Sequence, residues 1–207
     1  MSHRHRRKPR VTEEFTQTVV RDTNGIMDDE KAIFRFAESD VFIPSRIIAE
    51  LDHNKNDKTD GKTCRNVISL FAAIVEGKTR AEIEAGFPLD SIFLTVSNME
   101  GRKVEIPPTG RLFFQTYVPE RTSFLFPEDE SDNKILSVAL DLRERGKKVV
   151  LISNDANFRI KATLEGIVAK PYEGESHGPK KRPWKKGYQD NRSRRFSPHW
   201  KGKKVNK

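Results

Sequence analysis

Apolar positions along the chain recur with two periods, one near two and one near 3.6, and polar turns separate the runs. Residues 16–20, TQTVV, are β-prone and end in Arg21, Asp22, Thr23, Asn24 and Gly25. A strand followed by turn residues is the pattern of a parallel strand whose carboxyl end feeds a loop. Residues 32–37 predict a short helix around Ile33, Phe34 and Phe36, and 40–43, DVFI, a second strand stopped by Pro44. Residues 45–52 carry Ile47, Ile48 and Leu51 at helical spacing, with Ser45 as N-cap. Polar residues 54–62 read as a loop, and 63–76 as an amphipathic helix ended by Gly77.

Between 92 and 118 the period changes to two. Residues 92–98, 102–106 and 111–118 look extended, with a turn at Glu100 and Gly101, which predicts a β-ribbon insertion. A helix follows at 131–145, where Ile135, Leu136, Ala139, Leu140 and Leu142 share a face. Residues 148–152, KVVLI, are a buried-type strand running into Ser153, Asn154 and Asp155; a helix at 157–164 and a short strand at 167–168 close the body. Strands alternating with helices predict an α/β fold with a parallel sheet.

Charge divides the 207 residues into three parts. The net of +9 hides an acidic body: residues 11–170 hold 22 basic and 27 acidic side chains, a net of −5. The first ten residues hold five basic side chains and no acid, and 171–207 hold twelve basic against three acidic. We therefore expect a basic arm at 1–14, a folded domain at 15–172 and a disordered basic tail at 173–207. The tail interleaves aromatics with cations, which suits stacking on bases beside phosphate contacts. Its candidate nucleic-acid-binding residues are Lys180, Lys181, Arg182, Trp184, Lys185, Lys186, Arg192, Arg194, Arg195 and Trp200. A solubilising tail is the plainer reading.

No run approaches the ~18–20 apolar residues of a membrane span, and no signal-peptide pattern is visible, so a soluble cytoplasmic protein with no membrane partner is expected. Cys64 is the only cysteine, which excludes a disulfide scaffold and a Cys-rich metal module. None of the five histidines is assigned to catalysis.

Four acids stand at comparable places. Asp22 follows the first strand, Glu50 lies on the helix after DVFI, Asp132 opens the 131–145 helix, and Asp155 follows KVVLI. In an open parallel sheet ligands bind beyond the carboxyl ends of the strands, so these acids can converge there. Converging carboxylates repel one another unless a cation neutralises them, and hard oxygen donors without thiolate or imidazole point to Mg²⁺ or Mn²⁺. Taken singly, Asp22 is a turn former, Glu50 a solvated helix-face residue, Asp132 a favourable charge at a helix N-terminus, and Asp155 an N-cap.

VVRDTN at 19–24, DVFIPSRIIAELD at 40–52, SDNKILSVALDL at 131–142 and VVLISNDANFRIKATLEGI at 149–167 resemble PIN-domain nucleases, above all the PIN module of PhoH-type ATPases. The resemblance implies a three-layer α/β/α sandwich around a central parallel sheet. It implies metal-dependent cleavage of single-stranded RNA, leaving a 5′-phosphate and a 3′-hydroxyl. It also implies that Asp22, Glu50, Asp132 and Asp155 are the catalytic and metal-binding acids, with Asn24 and Asn133 orienting water or metal. Dimers are common in the family, which makes a homodimer an expectation. Two positions depart from the family pattern: Arg21 stands where an apolar residue is usual, and Gly25 where an aliphatic one is. No PhoH-type ATPase half occurs in these residues; Gly61, Lys62 and Thr63 look like the end of a P-loop, but position 56 is Asn where its leading Gly belongs. The alternatives are a catalytically inactive RNA-binding PIN fold, a nuclease acting on DNA, a toxin of a toxin–antitoxin pair, and a phosphatase, which would need a second carboxylate where Asn24 stands.

Overall fold

The computed structural model describes residues 16–29, 31–36, 38–100, 108–123, 125–127 and 130–172. They fall within a compact unit spanning Met1–Gly174. The N-terminal arm and the tail, with all ten of its candidate nucleic-acid-binding residues, lie outside the described residues.

The apolar runs read as strands pair into one sheet. Its members are β1 (Gln17–Arg21), β2 (Asp40–Ile43), β3 (Phe87–Pro88), β4 (Arg111–Phe114), β5 (Lys148–Ile152) and β6 (Val168–Lys170). The order across the sheet is β3-β4-β2-β1-β5-β6. Five strands run parallel, and the two-residue β3 closes one edge antiparallel to β4. The sheet is thus mixed rather than wholly parallel. Pro88 is tolerated there because an edge strand leaves one side of its backbone unpaired.

Strands covered on both faces need no polar alternation. Val20 and Leu151 belong to the main hydrophobic core, whereas their neighbours Val19, Val150 and Ile152 form a second cluster against Phe36 and Tyr172. Successive side chains point to opposite faces, so the two clusters lie on opposite sides of the sheet. The helices are α1 (Thr23–Asp28), α2 (Ser45–Asn54), α3 (Gly61–Val75), α4 (Arg80–Ala85), α5 (Leu89–Glu100), α6 (Ser131–Glu144) and α7 (Ala156–Leu164), with a 3₁₀ turn at Ala32–Phe34. Helix α6 is buried along nearly its whole length, from Asn133 to Leu142. Among the described residues no helix is long and apolar enough to cross a membrane.

Three expectations change. The first is the β-ribbon insertion. Residues 92–98 lie inside α5, residues 102–106 lie outside the described residues, and 111–114 form β4 of the main sheet, with Leu112 opposite Val41. The stretch is ambiguous because Ile92, Leu94 and Val96 alternate. The helix prevails because buried Leu89, with Ile92, Phe93 and Val96 packed on the core, makes an i, i+3, i+4, i+7 stripe. Second, the turn after β1 is itself a helix, α1, capped by Asp22. Third, Ser45 is the first helical residue of α2 behind Pro44, and no side chain caps that end.

The approach to β4 is tight. A Cβ at Gly110 would overlap the Ser39 carbonyl oxygen, with the Ser39 carbonyl carbon only 2.5 Å away, and both are backbone atoms that cannot swing aside. Gly110→Ala should cost about 1–3 kcal/mol or more, lowering Tm by roughly 2–12 °C. A variant melting with the wild type would show that this segment does not rest on Ser39.

Candidate functional site

From β1 the chain runs outward to β2 and β4, then crosses back to β5 on the other side of β1 and continues to β6. The loops after β1 and β5 therefore part at a crevice, the topological switch point where ligands of open α/β sheets bind. Arg21 and Ile152 are paired at the last rung, so Asp22 and Ser153 emerge side by side. A concavity of about 920 Å³, lined by Gln17, Asp40, Arg111 and Lys148 among others, opens instead at the amino ends of the strands.

Hydrogen bonds tether Asp22, Glu50 and Asp155. The Asp22 Oδ1 atom accepts the Gly25 N–H at 2.8 Å, and its Oδ2 accepts the Ser153 hydroxyl at 2.5 Å. Ser153 Oγ in turn accepts the Asp155 N–H at 3.0 Å. Asp155 caps α7, its Oδ1 accepting the N–H groups of Asn157 and Phe158. Glu50 accepts the Thr23 hydroxyl on Oε2 and the Arg46 Nε on Oε1 at 3.0 Å. Arg46 Nε also donates to the Ser131 hydroxyl, 2.5 Å away, immediately before Asp132. One bonded chain joins Asp155 to Asp22, and a second joins Thr23, Glu50 and Ser131. Turn former and N-cap are thus correct for Asp22 and Asp155, and each role uses one carboxylate oxygen.

Asp132 reports the electrostatics of the crevice. Burial pushes its carboxyl above the usual range, Lys161 pulls it back, and Asp155, Asp22 and Glu50 each push it further up. All four acids therefore share one neighbourhood. Among the described residues, no three His, Cys, Asp or Glu side chains already stand as a ligand set for one ion. The donor chemistry nevertheless fits Mg²⁺ or Mn²⁺: the anionic groups acting on Asp132 are carboxylates, without thiolate or imidazole, and repulsion among carboxylates is what a hard cation relieves.

The two asparagines part company. Asn24 is exposed in the first turn of α1, beside Asp22. Asn133 is fully buried: its amide donates to the Pro127 carbonyl at 2.5 Å and to Glu130, and its oxygen accepts Lys161 Nζ at 3.2 Å. Its amide nitrogen braces the start of α6, and its oxygen holds Lys161, the cation that pulls the Asp132 carboxyl down. Cys64 is a buried helix residue whose thiol burial pushes up, which keeps it protonated and unreactive.

Sequence reasoning missed Thr23, Ser153, Arg46 and Lys161. Thr23 and Ser153 stand next to or near flagged acids, and buried hydroxyls beside strand-end acids are the signal that could have found them. Arg46 is four residues before Glu50, the spacing of a helical ion pair. Lys161 carries no such signal.

Arg21 and Gly25 prove to be one feature. Arg21 is wholly buried; its Nη2 donates to the Gly25 carbonyl at 2.7 Å, and its guanidinium lies 3.9 Å from the Tyr172 ring centroid. Its Nε and Nη1 lack hydrogen-bond partners among the described residues, and burial pushes its pKa down. A Cβ at Gly25 would overlap Arg21 Nη2 and stand 2.7 Å from Asp22 Oδ1. The long side chain at 21 thus occupies the room that a side chain at 25 would need.

The family model described as PIN domain matches residues 19–173. PIN domains are in general Mg²⁺- or Mn²⁺-dependent nucleases. Protein PhoH2 of Bacillus subtilis is 31% identical over 165 residues, covering 76% of this chain and 33% of that protein. Protein PhoH2 of Mycolicibacterium smegmatis is 26% identical over 167 residues, covering 80% and 34%. The chain thus spans about one third of the length of these relatives. Among solved structures, a chain of VapBC-1 from nontypeable Haemophilus influenzae aligns at a TM-score of 0.33 and 12% identity, covering 75% of this chain and 98% of that one.

Two predictions arise from this geometry. Gly25→Ala should destabilise by about 1–3 kcal/mol, and Arg21→Met should remove at least about 1 kcal/mol of that loss; equal losses in both backgrounds, read from urea unfolding, would mean the two residues do not share space. Asp132 binds its proton more tightly folded than unfolded, so the folded state holds more protons as pH rises from the unfolded value of 3.8, and stability falls across that window. Asp132→Asn should therefore melt above the wild type at pH 7, the gap closing as pH drops below 4. A variant less stable at pH 7 would contradict the crowding of carboxylates.

Proposed function

We propose, from the premise that the chain belongs to the PIN-domain family, that it is a metal-dependent endonuclease hydrolysing phosphodiester bonds in single-stranded RNA. The observation that carries this reading is the hydrogen-bonded linkage of Asp22 to Asp155 through Ser153 and of Thr23 to Glu50 and Ser131 through Arg46, which draws four acid-bearing segments toward the end of β1. Asp22, Glu50, Asp132 and Asp155 would hold one or two Mg²⁺ or Mn²⁺ ions. Such an ion, when bound, supplies a Lewis acid for the phosphoryl oxygen and a water acidic enough to attack near neutral pH.

The chain's own groups do the positioning. Ser153 fixes Asp22 Oδ2 and Thr23 fixes Glu50 Oε2, so each carboxylate keeps a defined direction before any ligand arrives. Lys161 and the Arg46 guanidinium offset part of the negative charge that would repel a phosphate. Asn24, exposed beside Asp22, is the polar group we assign to orienting water or substrate. In our reading the basic tail gathers single-stranded RNA that an acidic body alone would repel, with cations on phosphates and Trp184 and Trp200 on bases.

The test is cleavage of labelled single-stranded RNA with Mn²⁺, beside the same sequence as DNA. Asp22→Asn and Asp132→Asn should lose cleavage, and Ser153→Ala should slow it about 10–100-fold. Mn²⁺ at a hundred times its dissociation constant should stabilise the wild type by about 2.7 kcal/mol and leave Asp22→Asn unmoved. Cleavage undiminished in the acid variants refutes the assignment; faster cutting of DNA reassigns the substrate. Changing Lys180, Lys181 and Arg182 together to Ala should flatten the slope of log binding constant against log salt by about 2, at roughly 0.7 per phosphate contact on a single strand. An unchanged slope would take the tail out of substrate binding.

A further inference from the structure

We infer that the groove between α2 and α6, next to the acids, is a subsite for one nucleotide of the single-stranded substrate, seating its base on an aliphatic wall and its phosphate on Lys134. This rests on the nuclease reading and specifies where the strand continues from the acids. The groove has a volume of about 640 Å³, within the ~300–1,000 Å³ of small-molecule sites. Among the described residues its lining contains no acidic side chain, although the body around it carries a net charge of −5. Arg46 and Lys134 both line it. An anion can therefore enter here without meeting the repulsion it meets at the crevice.

The rest of the wall suits the other half of a nucleotide. Ala49, Val118 and Val138 give an apolar surface, and Val118 is 85% exposed and so open to a ligand. Gln115 lines the same groove with its amide already oriented: its oxygen accepts the Ser45 N–H at 2.9 Å, and its nitrogen donates to the Tyr117 carbonyl at 2.7 Å. A planar base can lie on the apolar wall with its polar edge toward that amide. Continuity with the reaction centre comes from Arg46, whose Nε joins Glu50 to Ser131 while its side chain lines the groove. Lys134 lies two residues beyond Asp132 on α6. A strand whose phosphate sits among the acids thus has its neighbouring nucleotide within reach of the groove, and an unpaired strand is needed because a stacked and paired base cannot turn into it.

The experiment titrates the full chain, in EDTA to remove metal, with adenosine 5′-monophosphate and separately with ribose 5-phosphate, reading backbone amide NMR shifts. Adenosine 5′-monophosphate should shift the amides of Gln115, Val118 and Val138, and ribose 5-phosphate, which lacks the base, should bind them at least about tenfold more weakly, the effect of removing an apolar contact with the wall. Ala49→Phe, which fills the groove, and Lys134→Ala should each weaken the nucleotide at least fivefold and raise KM for RNA; Lys134→Ala, at an exposed position, keeps the test intact should Ala49→Phe disturb packing. No shifts in the groove, or equal binding of both ligands, overturns the subsite while leaving the acid-variant result, and so the nuclease reading, standing. Shifts in a protein that cuts nothing with Mn²⁺ overturn the substrate role instead, because the groove would then serve some other nucleotide.

Discussion

Repulsion among carboxylates is the constraint around which this structure is arranged. Asp22, Glu50, Asp132 and Asp155 are brought together by topology, and a chain free to relax would turn them away from one another. Two hydroxyls oppose that relaxation. Ser153 and Thr23 each donate a hydrogen bond to an acid on another segment, and hydrogen bonds to charged acceptors are the stronger kind. The backbone contributes as well, since Asp22 and Asp155 accept N–H groups at the starts of α1 and α7. Local capping thereby supports a non-local cluster: each acid stabilises its own helix start, which offsets part of what its neighbours cost. The remainder is visible at Asp132, which is half-buried, opens α6 without accepting a cap bond, and is left with the raised carboxyl.

The β1 turn shows how one such loop is held in shape. An arginine buried with two unsatisfied N–H groups is expensive on its own terms. Here the guanidinium lies on the Tyr172 ring and donates to the Gly25 carbonyl, and Tyr172 in turn donates its hydroxyl to Asp29 just beyond α1. The turn carrying Asp22 is therefore clamped from beneath by β6's continuation, whose backbone is tied at Tyr172 to Asn154 in the turn carrying Asp155. Gly25 follows from the clamp, because the guanidinium fills the space beneath that position.

What could be read from the sequence was what is local. KVVLI, DVFI and TQTVV are strands because continuous apolar runs bounded by polar turns admit few other readings, and 131–145 is a helix because its apolar face repeats over three turns. The acids at the strand ends were legible for the same reason. Residues 92–98 were not, because Ile92, Phe93, Leu94 and Val96 satisfy both periods and only burial of Leu89 and Phe93 against the core selects the helix. The pairing of Arg21 with Gly25, the bond from Ser153 to Asp22 across 131 residues, and the placing of Lys161 beside Asp132 depend on contacts no spacing encodes. Asn133 illustrates the same limit: its bonds to Pro127 and Glu130 brace the start of α6, a role that its place beside a flagged acid does not announce.

The charge pattern of the chain and the geometry of the crevice meet in a single electrostatic argument. A site made of acids attracts divalent cations and rejects polyanions, so any polyanion reaching it needs positive surface nearby that the acids have not already neutralised. Arg46 and Lys161 stand at the crevice, but both are committed, to Glu50 and to Glu130. Lys134 is not among the cations with a described carboxylate partner within ion-pair distance, and it lines a groove whose described residues include no acid. At a Debye length of about 8 Å in physiological salt, a charge orients a phosphate only at close range. Orientation of any polyanion at the acids must therefore come from groups within a few ångströms of them, and the α2–α6 groove is a place where cation, apolar wall and pre-set amide coincide.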